Sequence, residues 1–501
     1  MNSDLRPAGA AKPPGVLGAG FALFAFVFGM RAWLILVWGS PVPFWDQWNA
    51  EALGLFRPWL DGTLRWSDLF AAHNEHRIAL TRVADLGLLL LDGHWNIWWQ
   101  LLLNAALHAA TAAALAVFLR ADRNAPVRTA WLLGLAVLFS VPSGWQNALW
   151  GFQSQVYFGS LLAVLALACL LTGKPLRGRW WLGWLCALLA LFAIGSGVLA
   201  AVAVLLVSAA GLLTPGHVSP AGQIPCTTGE DSRFGGTPGQ WGLLAVLALV
   251  ILGWFLRVEV PQHETLRAHS LTQFGAVFVR CLGWPWVNSS WLWLVMQAPL
   301  VWFIAHLIRR RSPLNGGERL ALGLGLLAGL HAVAVACSRG AGLVEARPLS
   351  RYQDPLLLGV AANLFVLLQF VPLRLSGRIA ALVWSGILLA GLIPLTATNL
   401  SVNLPFKRAQ DDASLAQVRS YLSAHDATVF TRDPEFTGPH PDPAVVRRVL
   451  DDPLLRPLLP VEFSKTSSHP PGLIALGPWL ALVGSVLLLG VAIGYFRPTK
   501  P

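Results

Sequence analysis

Charge is what this chain lacks. Of its 501 residues only 12% are Asp, Glu, Lys or Arg, against about 25% in a soluble domain, while 55% are hydrophobic. So little charge excludes an ordinary water-soluble globule and makes lipid the main solvent. Cysteine is scarce too. The five, at 169, 186, 226, 281 and 337, form no CxxC and no metal-binding spacing, and most fall in apolar runs, which excludes a disulfide framework. HExxH is absent, and no repeat relates the two halves of the chain, unlike many transporters built from repeats.

What is present in excess is tryptophan, 24 residues, a side chain suited to the membrane–water interface. The formal charge is +11, but the arginines sit in short clusters between apolar runs. That pattern is the positive-inside bias of a membrane protein, and nucleic acid is not an expected partner.

A crossing helix needs about 20 apolar residues. Twelve runs qualify as candidates: 16–39, 95–119, 129–142, 152–172, 180–194, 197–213, 241–257, 286–308, 319–337, 353–371, 379–398 and 472–496. The expected fold is therefore an all-α polytopic membrane protein with about twelve transmembrane helices. "GSG" at 195–197 separates two short helices that would be too long as one. The segment Arg77–Gly93 carries Arg82 and Asp85 within a short apolar stretch, and charge decides its placement. If it stays interfacial or re-entrant, the basic clusters near 120–128, 174–179, 309–319, 374–378 and 497–500 share one side with Arg6 and Lys12. Both termini are then expected in the cytoplasm. The first apolar run is too long for a signal peptide and lacks an A-x-A site, so it stays as helix one.

The opposite-face loops are then 40–94, 143–153, 258–285, 338–352 and 399–471. The division expected is a transmembrane module over 1–398, a small extracytoplasmic cap over 399–471 built of amphipathic helices, and a last helix with its tail over 472–501. The inner loop 214–240 is rich in Gly and Pro and is expected to hold no site.

Polar chemistry gathers in those outer loops. "PFWDQWNAE" sets Asp46 and Gln47 between Trp45 and Trp48 where the chain leaves the first run, and "HNEHR" sets Glu75 among His73, His76 and Arg77. Trp145, Gln146, Asn147 and Gln153 lie on a second loop, and Arg339, Arg347 and Arg351 on a third. An aspartate can take the proton of an attacking hydroxyl, and guanidinium groups hold a phosphate bidentately. Tryptophan faces and amides suit sugar rings. Each feature also has a plainer reading: Asp46 as a helix cap, Glu75 paired with Arg77 or Arg82, the arginines as headgroup anchors, the tryptophans as an aromatic belt. His73 and His76 fall on one face if the segment is helical, but two histidines and one acid make no zinc motif; a divalent ion at Asp46 and Glu75 is the only metal worth considering, and no cofactor is expected. Arg31, inside helix one, marks either a lipid-phosphate path or a buried ion pair. His108 and His331 are expected as packing residues.

An acid just past helix one, a following amphipathic segment and many helices resemble the GT-C superfamily of membrane glycosyltransferases, such as the bacterial aminoarabinose transferase and the protein O-mannosyltransferases. "NEHRIALTR", "LWGFQSQ" and "SRY" are similar to motifs in bacterial membrane proteins of this kind. The resemblance implies transfer of a sugar from a polyprenyl-phosphate carrier to a glycolipid, polysaccharide or protein acceptor, on the outer face of a bacterial cytoplasmic membrane. It implies Asp46 as base, with Glu75 as a supporting acid because Gln47 stands where the family has a second acid. Arg339, Arg351, Arg347 and Arg77 become the phosphate ligands, and Trp45, Trp48, Gln47, His73, His76, Trp145, Gln146, Asn147 and Gln153 the sugar or acceptor pocket. The alternatives are a ligase or polymerase using a diphosphate-linked donor, a lipid or solute transporter, and a non-catalytic relative.

Overall fold

The computed structural model describes residues 15–213, 238–286, 289, 291–310, 312–343, 350–372, 374–431, 438–464 and 470–496. Arg347, Cys226 and nearly all of the loop 214–240 lie outside them.

Each of the twelve apolar runs carries a helix among the described residues, that of 286–308 starting at Leu292. Among the described residues, eight helical stretches are long and apolar enough to cross a membrane. The runs 180–194, 197–213, 241–257 and 353–371 give shorter or less qualifying helices, Gly178–Ala190, Val198–Leu213, Pro238–Phe255 and Gln353–Gln369, of 13, 16, 18 and 17 residues. The chain is thus an all-α polytopic protein, and among the described residues its only sheet is one two-stranded hairpin.

The first helix, Val16–Trp38, packs against the last, Gly477–Phe496. Their backbones meet at glycines. A Cβ on Gly29 would lie 2.2 Å from the Ala481 nitrogen, and one on Gly484 would lie 2.3 Å from the Phe26 nitrogen. Small residues at such a crossing let two helices gain dispersion contact where the solvent is itself apolar.

Basic residues collect at one end of the bundle. Arg123 donates to the carbonyls of Leu368 and Val371, Arg319 to Leu171, and Arg179 to Ala168, while Arg310 forks onto Glu318 and Arg128 lies over the Tyr495 ring. The five loops expected on the other face all meet at the other end. Trp45 N–H donates to the Pro439 carbonyl (2.8 Å), Glu75 reaches both His263 and Arg339, and Gln146 N–H donates to Ser350 Oγ.

Two features at that end depart from the sequence reading. The helix Leu375–Thr398 does not stop at the start of the expected cap. It runs on through a π-helical turn, Asn399–Asn403, into Leu404–Ala424. This 50-residue rod is about 75 Å long at 1.5 Å per residue, well over a bilayer's ~30 Å of hydrocarbon. Residues 404–464 also share one core with the first loop: Trp48, Phe56, Trp95 and Trp98 pack with Val418, Val446 and Phe463. The cap is therefore built jointly with loop 40–94. The segment Arg77–Gly93 forms the helix Ala79–Asp92, which begins beside Phe70 and Ala71 and ends where Trp95 N–H donates to the cap carbonyl of Leu458 (2.7 Å). Both its ends lie at the same end of the bundle.

Candidate functional site

Asp46 opens a ten-residue π-helical segment, Gln47–Phe56, an uncommon geometry often found at functional sites. Three neighbours fix it. Trp48 is fully buried, its indole N–H donating to the Pro43 carbonyl and its ring stacked on Phe463 at 6.5 Å. Trp45 is held at φ 47°, a left-handed conformation costing an L-residue about 1–2 kcal/mol. The hydrogen bond to Pro439 and ring contacts with Phe44 and Trp150 hold it there. Gln47, also fully buried, accepts from Phe44 N–H and donates to Gln100 Oε1 (2.7 Å). Of the group, Trp45 and Asp46 keep access to solvent, the Asp46 side chain at 28% exposure. Two tryptophans flank the acid for different reasons, one as a core anchor and one as an exposed face.

The stretch around His73 is a hairpin rather than a helix: Ala72–His73 pairs antiparallel with His76–Arg77, with His73 opposite His76. Asn74 takes φ 47° at the turn, a conformation Asn tolerates better than most residues. The helical face expected for the two histidines is absent. His73 Nε2 lies 3.5 Å from Asp46 Oδ1, and its ring meets Phe152 edge-on. His76 Nδ1 accepts from Gly195 N–H (3.2 Å). Burial drops the His76 pKa to about 4, so at neutral pH it is an uncharged acceptor.

Glu75, at the hairpin tip, pairs with neither Arg77 nor Arg82. Arg339, one turn from the end of the helix Gly316–Leu343, grips it with both terminal nitrogens at 2.9 and 2.8 Å. His263 Nδ1 adds a third contact at 2.7 Å. Burial opposes the carboxylate's charge, but the Arg339 and His263 bonds outweigh it and bring the Glu75 pKa down to about 2. A group so acidic remains a carboxylate and donates no proton at neutral pH. Tyr352 joins the two outer arginines: Arg339 Nε donates to its hydroxyl (3.2 Å), and Arg351 lies over its ring at 5.2 Å.

Arg77 donates to the carbonyls of Leu256 and Phe70, and no acid among the described residues pairs with it. Arg77, Glu75 and Arg257 border a cavity of about 290 Å³ whose walls are apolar, from Leu191, Val198, Val202, Val250 and Leu256. Arg257 stacks on Trp254 at 4.7 Å. The cleft therefore has a hydrocarbon wall and a charged rim. Gly195 also lines it, and the "GSG" turn stays tight because a Cβ there would strike His76 Nδ1 at 2.8 Å.

The amide loop serves the packing of the bundle. Asn147 donates to the Arg351 carbonyl and to Asp354 Oδ2 (2.8 Å), Gln146 Oε1 accepts from Arg351 N–H, and Gln153 is buried. Trp145 is half-buried. Arg31 is buried, donating to the carbonyls of Phe139 and Val141 and contacting His108 at 2.8 Å. It lies within electrostatic reach of Asp354, and His331 bonds the Leu327 carbonyl of its own helix.

The structure thus joins Asp46, His73, Glu75, Arg77 and Arg339 through one hairpin, and sends Trp48, Gln47 and Asn147 into the interior. Sequence reasoning passed over His263, Tyr352 and Arg257. It also passed over Glu51, whose signal was an acid inside the apolar run "WNAEALGLF". Among the described residues, no three His, Cys, Asp or Glu side chains are grouped to hold a metal ion. No protein-family model matches the chain, and neither does any curated protein or solved structure compared with it.

Proposed function

We propose that this chain is a membrane glycosyltransferase of GT-C type. It moves a sugar from a polyprenyl-phosphate carrier to an acceptor at the outer face of a bacterial cytoplasmic membrane. The basic end of the bundle faces the cytoplasm by the positive-inside rule, and the loop-built end faces out.

One observation carries the reading: a single hairpin presents charge to an apolar-walled cleft on one side and a histidine to Asp46 on the other. A donor of this class is itself divided into a hydrocarbon tail and a phosphate. The tail lies along Val198, Val202 and Val250, and the phosphate meets Arg77 and Arg257 at the rim. Arg339 is engaged by Glu75 and acts by positioning, so the phosphate role passes from Arg339 to Arg77, with Arg257, whose partner Glu259 is solvent-exposed, beside it. Glu75, held ionised, orders His263 and Arg339 and takes no part as an acid.

In the reaction, an acceptor hydroxyl attacks the anomeric carbon and gives its proton to the Asp46 carboxylate. The new glycosidic C–O bond forms as the C–O bond to phosphate breaks, its electron pair leaving on the phosphate oxygen. Phosphate is a good leaving group once its charge is matched by guanidinium, so one base suffices. Trp45 supplies the exposed aromatic face for the sugar.

The test supplies a panel of radiolabelled polyprenyl-phosphate sugars to wild type and Asp46→Asn in lipid nanodiscs with membrane acceptors. The expected result is donor binding in both proteins and transfer about 10²–10⁴-fold slower in the variant, the usual loss on removing a general base. Equal transfer by both proteins removes Asp46 from the reaction. A wild type that binds no monophosphate-linked donor overturns the reading.

A further inference from the structure

Beneath Asp46 lies a pair of acids that the transfer reaction does not use. Glu51, from the π-helical segment, and Asp85, from the helix Ala79–Asp92, are each 2% exposed. Gln100 bridges them: its Nε2 donates to Glu51 Oε2 at 2.8 Å and to Asp85 Oδ1 at 3.0 Å. Trp95 Nε1 donates to the same Glu51 oxygen at 2.8 Å, and Gln47 at 3.4 Å. Each acid is left with one buried oxygen, Glu51 Oε1 and Asp85 Oδ2, that has no hydrogen-bond partner among the described residues.

We infer that Glu51 and Asp85 form a buried site for a proton, shared by two carboxyls that Gln100 holds together. Two ionised carboxylates this close and this dry repel strongly, and the low-energy state keeps a proton on the pair. The unpaired oxygens fit that state, because a neutral carboxyl costs less to bury without a partner than a carboxylate does. Few charges nearby compete. Arg82 faces Asp85, but the carbonyls of Asp68, Leu69 and Ala71 occupy its Nη1, and Asp68 lies near Arg82 in turn. Asp46 faces Glu51 with a like charge. The helix Pro443–Asp451, packed on the π-helical segment, buries only Val446, Val449 and Leu450. Burial above all, then the charge of Asp46, lifts Glu51 to about 7 against three hydrogen bonds that favour its ionised form. Burial and the Glu51 charge lift Asp85 well above the carboxylate range.

The site bears on Asp46 through one side chain. Gln47 touches Glu51, Gln100 and the Phe44 N–H at once, so the charge state of the pair reaches the turn that carries Asp46. None of this depends on the proposed transfer reaction.

Infrared difference spectroscopy of the full chain in nanodiscs, stepped from mildly acidic to mildly basic pH, reads the protonated carboxyl directly through its C=O stretch. Wild type is expected to keep a band from Asp85 after Glu51 has ionised and to show a second band that disappears with a midpoint near 7. Carbon-13 labelling of glutamate carboxyls should shift that band. Glu51→Gln should abolish it and, by removing the neighbouring charge, should move the loss of the Asp85 band to lower pH. No band in wild type, a second band untouched by glutamate labelling, or an Asp85 band unmoved in Glu51→Gln overturns the site. The labelling experiment needs no variant, so the outcome stands even where a substitution impairs folding. Sugar transfer is measured separately, so loss of this site and loss of the proposed function are distinguishable.

Discussion

Arg339 and Glu75, 264 residues apart in the chain, meet fork to carboxylate at 2.9 and 2.8 Å, with His263 on the same acid. The pair ties the hairpin that reaches Asp46 to the end of the helix Gly316–Leu343. It also places a fixed anion at the rim of the apolar cleft.

Breaking that pair has a signed pH dependence. Arg339→Met should destabilise the protein by about 1.5–3 kcal/mol, the range for hydrogen bonds to a charged group; Glu75→Gln/Arg339→Met should recover part of it. The Glu75 pKa is depressed in the fold to about 2. Its contribution is therefore complete above the ordinary 4.5 and disappears as pH falls from there towards 2. Thermal unfolding in detergent at neutral pH and near pH 3 checks both statements: the wild-type advantage over Arg339→Met should shrink in acid.

His76 works in a neighbouring window with its own sign. Its folded pKa of about 4 lies below the ordinary 6.5, so stability from the neutral ring is full above 6.5 and declines as pH drops towards 4. Gly195→Ala should remove that contribution by driving a Cβ against Nδ1. Histidine NMR of wild type should find this ring neutral at pH 6, and in Gly195→Ala its titration should move up.

Arg77 has no acid among the described residues to neutralise it and stands at the cleft rim. Arg77→Gln should weaken binding of a polyprenyl phosphate about 10–100-fold, the loss expected for one charge-assisted contact, while binding of an uncharged polyprenol stays the same. Flotation with each lipid measures the difference. Equal weakening for both lipids would place Arg77 in the packing of the hairpin instead.

The cap contains its own buried ion pair. Lys407 and Asp411, 6% and 3% exposed, pair along one turn of the helix Leu404–Ala424, with Lys407 also over the Phe44 ring. Lys407→Met leaves a buried carboxylate alone and should cost about 3–5 kcal/mol, whereas Lys407→Met/Asp411→Leu should restore most of it. Limited proteolysis of the cap, with the double variant as control, reads the change.

At the crossing of the first and last helices, Gly29→Ala sets a Cβ against the backbone of Ala481, and backbone cannot step aside as a side chain can. The helices must separate, and the unfolding temperature should fall by several degrees. Gly18→Ala, on the same helix with nothing within 4 Å, is the matched control and should leave it unchanged.

Local pattern made much of this protein legible. Apolar runs near a bilayer's thickness are visible without knowing any contact, and charge asymmetry sorts their connections. That is why the five loops assigned to one face do meet at one end. The finer expectations failed where the decisive partner was distant. Trp48 read as part of a sugar or acceptor pocket because nothing near it in the chain reveals Phe463. Arg339 read as a free cation because Glu75 is 264 positions away. The helix expected around His73 lost to a turn that Asn74 makes possible.

From the sequence alone follow the lipid solvent, the helical architecture and the division of the loops between two faces, because hydropathy and charge act over a few turns of one segment. Only the tertiary structure decided which acids are paired and which are left facing water. It set Glu75 against Arg339, shut Glu51 and Asp85 beneath the π-helical segment, and left Asp46 beside His73 at the surface. What a carboxylate can do depends on the charges and solvent around it, and those are supplied by segments far away in the chain.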